Sequence, residues 1–202
     1  MRKSAVFYEV GNRIYKGLFL ICVAFLAVGT LMGLVSASFA ENTSQVTEYS
    51  SLNVLFGYIN SDGVGIKAFI NSFISASILC LAVFILTFFV FGYIFIPLVS
   101  MIKGFLLSFF SASILTIYGN SGIWISIVYC SLDIFICIPC LLAFSAYCMR
   151  TSSKLTQVVF SGSCAKPFTG SFFLVSLFTL SVLFFTSILK SYLIPQIITL
   201  LI

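Results

Sequence analysis

Long apolar stretches separated by short polar ones set the plan of this chain. Gly17 to Phe39 carries no charged side chain. At about 1.5 Å per helical residue it is long enough to cross about 30 Å of hydrocarbon. At Ala40 the pattern changes. Glu41, Asn42, Thr43, Ser44, Gln45 and Glu48 follow closely, and a polar loop extends over 40–67. Between 68 and 149 only Lys103 and Asp133 are charged, a length suited to three spans. The breaks fall at turn formers, Gly92 with Pro97 and then Gly119-Asn120-Ser121-Gly122. The pattern therefore predicts helices at about 17–39, 69–90, 98–117, 123–147 and 170–190, with a second polar loop over 148–169. Residues 1–202 read as one all-α, polytopic transmembrane domain of about five helices.

Composition makes the membrane assignment firm. Of 202 residues 61% are hydrophobic and 7% charged, against about a quarter charged in a soluble domain. Mean hydropathy is +1.21, so membrane lipid is the main solvent of the chain. The 10 basic residues orient it. Cytoplasmic loops carry the excess of Lys and Arg. With the N-terminus inside, Arg2, Lys3, Arg13, Lys16, Arg150, Lys154 and Lys166 are cytoplasmic, and Lys103 lies near the inner end of the third helix. Only Lys67 and Lys190 fall outside, so the 40–67 loop and the C-terminus are external. Ser38-Phe39-Ala40 offers the small residues that a signal peptidase reads. The basic start and apolar core before it are both long for a signal, so the first stretch is read as a retained helix. Ala5 to Lys16 suits either a short surface helix anchored by its basic residues or a solvated lead-in.

Several kinds of chemistry are excluded. There is no histidine, hence no imidazole base and no His metal ligand. Three of the five acids (Glu41, Glu48, Asp62) lie in the external loop, and no phosphate-binding glycine motif occurs. Basic residues sit at the ends of apolar runs, not in a patch for nucleic acid. Cys137-Ile138-Pro139-Cys140 lies inside an apolar span without accompanying ligands. It and the other deep cysteines read as small apolar residues, and no metal, cofactor or catalytic residue is expected. Asn42-Thr43-Ser44 is a glycosylation sequon with meaning only in a eukaryotic secretory pathway.

Two features remain. Gly29 and Gly33 form a G-x-x-x-G in the first helix, and Gly104, Ser108 and Ala112 align on one face of the third. Such faces let backbones approach, within the protein or with a partner. Asp133 lies near the middle of the fourth helix, where a carboxylate must be paired, neutral or in contact with water. A proton relay needs a second carboxylate in the spans, and there is none. An interhelical hydrogen bond or ion pair, with Lys103 the nearest base, is the favoured reading. On it, Asp133→Leu leaves the protein folded.

The order of these motifs resembles the stage II sporulation protein M family. Met1-Arg2-Lys3, Gly29 and Gly33, a polar external loop, Gly92, Ile96-Pro97, Lys103-Gly104-Phe105, Tyr118-Gly119, Gly122 and Ile138-Pro139 follow in sequence. Ser108 stands where the family tends to have glycine, and Leu132 and Asp133 where it often has a proline or amide. The resemblance implies a five-helix, non-enzymatic scaffold. It would organise cell-wall hydrolases of the sporulation protein D and P type during septal-wall thinning and forespore engulfment. The rival class is a permease subunit working with a separate ATPase, or a small ion-coupled carrier. That rival would use Asp133 for coupling and the Gly92–Pro97 break as a discontinuous helix.

Overall fold

The computed structural model describes residues 2–40, 66–161 and 170–201, and all of its regular elements are helices. They are α1 (Arg2–Ala40), α2 (Ile66–Thr87), α3 (Gly92–Tyr118), α4 (Asn120–Leu132), a π-helical segment (Asp133–Cys137), α5 (Ile138–Ser161) and α6 (Gly170–Leu201). Four apolar runs among them are long enough to cross a bilayer: Tyr15–Phe39, Gly92–Thr116, Gly122–Phe160 and Gly170–Tyr192. A shorter apolar run, Ser72–Thr87, lies in α2. Most of the polar loop expected over 40–67, with its acids and its sequon, lies outside the described residues, as do 162–169.

The helices outrun the edges drawn from hydropathy. Residues 2–16 continue α1 without a break, so the segment before the first span is neither a separate surface helix nor a lead-in coil. The stretch expected to open a loop at 148 is helical to Ser161. Its hydroxyls have a task. α2 turns into α3 within residues 88–91, which exposes backbone groups that need partners. The Ser152 hydroxyl donates to the Phe89 carbonyl at 3.0 Å and accepts from the Tyr93 amide at 3.0 Å. Thr156 donates to the Val90 carbonyl. Polarity at 150–156 thus serves a helix that clasps a hairpin.

The Gly92–Pro97 segment is also no discontinuity. The chain reverses before it, with Gly92 packed against the Leu86 carbonyl, and α3 runs on through Pro97. The irregular turn falls in the fourth span. Pro139 has no N–H, and in a regular helix its ring would crowd the carbonyl of residue 135. The π turn just ahead of it widens the spiral, and the Ile138 amide bonds back to the Asp133 carbonyl.

α3 is the central helix. It packs on α1, α2, α4 and α5, while α6 closes the far side against α2 and the fourth span. Cys22, Cys80, Val83, Ile96, Phe144 and Cys148 belong to the buried core. The cysteines there are free and act as small apolar fillers. Leu174, Leu177 and Phe178 on α6 are each 69% exposed, which marks a face for lipid.

The α3–α4 turn depends on one residue. Gly119 has φ 56° and ψ −132°, a region almost closed to side chains. A Cβ there would meet no atom within 4 Å, so a substitution costs backbone strain alone. Gly119→Ala is expected to lower stability by about 1–3 kcal/mol. Gly17→Ala, in the open interior of α1, should instead raise it by roughly 1 kcal/mol. Thermal unfolding of the two variants in detergent reads the opposite signs.

Candidate functional site

The residues singled out by spacing fall into two places. Gly29, Gly33, Gly104 and Ser108 all lie in the seam between α1 and α3. Gly29 rests on the Met101 carbonyl, Gly33 on the Phe105 carbonyl, and Gly104 on the Leu26 carbonyl from the other side. A side chain at any of these three would overlap backbone. Ser108 crosses the same seam, its hydroxyl donating to the Thr30 carbonyl at 2.8 Å. Within a bilayer no hydrophobic effect draws apolar helices together. Close backbone approach and an interhelical hydrogen bond are what remain to hold them.

Asp133 and Lys103 meet on the other side of α3. Lys103 Nζ lies 3.4 Å from Asp133 Oδ2. Because α3 begins at Gly92, Lys103 stands about 16 Å along the helix, near its middle and not at its inner end. Its neighbour Gly104 abuts Leu26 and Thr30, central in the apolar Tyr15–Phe39 stretch. The ion pair therefore sits at mid-membrane depth.

A third member completes it. Lys190, which the charge pattern assigns to the external side, points into the bundle. Its Nζ lies 2.8 Å from the same Asp133 Oδ2 and 4.8 Å from the centre of the Tyr129 ring. The side chains of Lys103, Asp133 and Lys190 are 15%, 12% and 12% exposed. Sequence reasoning places Lys190 outside because α6 is expected to stop at a charged residue. In fact α6 continues to Leu201. The signal was present in the charge tally of the spans, since one mid-membrane acid faces two lysines that apolar sequence surrounds.

A cavity of about 230 Å³ lies beside the triad, between α2, α3, the fourth span and α6. Ser72 and Ser75 of α2, Tyr129 of α4 and Ser187 of α6 line it with the three charged groups. Ser187 gives its proton to the Leu183 carbonyl at 2.8 Å. Thr186 likewise bonds to the Val182 carbonyl at 2.6 Å and accepts from the Cys137 thiol at 3.7 Å. A lone charge at the centre of a spanning helix costs about 2.5–3.5 kcal/mol on insertion scales. Clustering two of them around one carboxylate offsets much of that. Two ammonium groups against one carboxylate still leave one formal positive charge.

The geometry also alters the expectation for Asp133. The carboxylate is the shared counter-ion of two lysines on two helices, so its removal is expected to cost stability. No family model, curated protein or solved structure matches this chain.

Proposed function

We propose that this chain is a non-enzymatic membrane scaffold of the stage II sporulation protein M type. It organises peptidoglycan hydrolases resembling sporulation proteins D and P, in a bacterial plasma membrane, for septal-wall thinning and engulfment of the forespore. One observation carries the reading: the residues that make the resemblance are also structural pivots of the bundle. Gly29 and Gly33 meet the Met101–Ser108 stretch that contains Lys103-Gly104-Phe105. Gly92 sits at the α2–α3 hairpin, Gly119 and Gly122 at the α3–α4 turn, and Ile138-Pro139 directly after the π turn. Such short motifs gain weight when each occupies a position that the packing requires.

Orientation supports the same role. Tyr15 donates its hydroxyl to the Ala143 carbonyl at 3.1 Å, and Ser152 holds the 88–91 hairpin. Lys16, Arg150 and Lys154 thus gather at one end of the bundle, the cytoplasmic end by the positive-inside rule.

Affinity capture of the tagged protein from native membranes in mild detergent tests the proposal. Co-purification of wall hydrolases is the expected result. Recovery of a nucleotide-binding ATPase in their place would overturn it in favour of a permease subunit. A Gly33→Leu bait, with the α1–α3 seam opened, should recover less hydrolase at equal membrane level.

A further inference from the structure

We infer that the cavity beside Lys103, Asp133 and Lys190 is a binding site for a small monovalent anion, a halide or the carboxylate of a small acid. The inference stands apart from the scaffold reading and rests on charge and geometry. Lys190 is the better-held base, at 2.8 Å from Asp133 Oδ2 and over the Tyr129 ring. Lys103 reaches the same oxygen only at 3.4 Å. An ammonium has three N–H donors, and among the described residues Asp133 is the one polar partner of Lys103. The cluster is left with one net positive charge, and both ammonium groups line the cavity.

A cation is repelled by that surplus, and a divalent anion would overshoot it. A single negative charge cancels it. About 230 Å³ is enough for such an ion with a partial shell of waters, each taking about 30 Å³. Ser75, exposed on α2, lines the cavity together with Ser72. The lining residues Ser72, Lys190 and Phe110 lie toward the end of the bundle where α1 finishes and α4 begins. The cavity thus reaches from the triad toward the end opposite Lys16, Arg150 and Lys154.

Thermal unfolding of the full chain in nanodiscs, at constant ionic strength, tests this. Chloride in one arm and acetate in the other replace 2-morpholinoethanesulfonate, a much bulkier anion that would fill most of the cavity. The unfolding midpoint should rise and saturate in at least one arm, because a ligand of the folded state stabilises it by mass action. The chloride arm reports a halide site, the acetate arm a carboxylate site. Lys103→Met removes the surplus and leaves the neutral Asp133–Lys190 pair, so it should fold. Its apparent anion affinity should fall about tenfold or more, the loss of one charge-assisted contact. Lys190→Met leaves the other neutral pair and gives the same result if Lys103→Met fails to fold. A flat wild-type midpoint in both arms overturns the site, as does an unchanged anion response in these variants.

Discussion

Asp133→Leu is expected to destabilise the protein by about 3–5 kcal/mol, the usual result of stripping the counter-ion from a buried charge pair. Leucine fills similar space, so the loss is electrostatic. Two ammonium groups at mid-membrane depth would face each other with no carboxylate between them. The variant should unfold about 6–20 °C earlier in detergent or fail to accumulate in membranes. The companion measurement is the triple variant Lys103→Met, Asp133→Leu, Lys190→Met. Replacing a whole buried ionic cluster by apolar groups is often neutral or stabilising by about 1–4 kcal/mol, so the triple variant should recover wild-type unfolding or better. A single variant as stable as wild type would show that the triad does not hold charge in the way described. Asp133→Asn keeps one acceptor oxygen, turns the other into a donor and removes the charge. It should fall between wild type and leucine.

Gly29→Leu is the second large effect. Its Cβ alone would collide with the Met101 carbonyl, so α1 and α3 must move apart along the seam. Overpacking of a well-filled contact costs about 1–3 kcal/mol, occasionally more. Separation here also breaks the contact at Gly33 and lengthens the Ser108–Thr30 hydrogen bond. The upper end of that range is therefore expected. Gly17→Leu on the same helix, where nothing lies within 4 Å, should raise stability slightly, by up to roughly 1 kcal/mol, as the loss of a helix-interior glycine does. Comparing the two by unfolding, and by cysteine cross-linking between α1 and α3, separates loss of the seam from loss of helicity.

The helical class and the apolar runs were legible in the sequence because hydropathy at span length is a strong signal. So was the spacing of small residues now found in the α1–α3 seam, since a face repeated every four residues needs no knowledge of the partner. Legibility ended where one residue type serves two ends. Serine and threonine at 151–156 look like loop residues, yet here they satisfy the backbone of a hairpin made from another part of the chain. Lys190 looks like an end marker, yet it answers an acid 57 positions earlier. Hydropathy along a chain records neither, because both depend on which helices become neighbours. The π turn was hinted at by Ile138-Pro139, but its place ahead of the proline follows from hydrogen bonding that only the folded helix displays.

The connectivity of the triad has a consequence for biogenesis. Its members enter the membrane in the order Lys103, Asp133, Lys190, on successive spans. After the fourth span is made, Lys103 and Asp133 can already form a balanced pair, so the nascent protein carries no excess charge in the bilayer. The final helix must then deliver its own lysine to that pair. At roughly 5–20 residues per second, the 57-residue interval leaves a delay of about 3–11 s. During that delay the carboxylate has a single partner and the α2 and fourth-span surfaces that α6 will cover remain open. A chain truncated before Lys190 would keep the balanced Lys103–Asp133 pair but leave the α2 and fourth-span surfaces uncovered on one side.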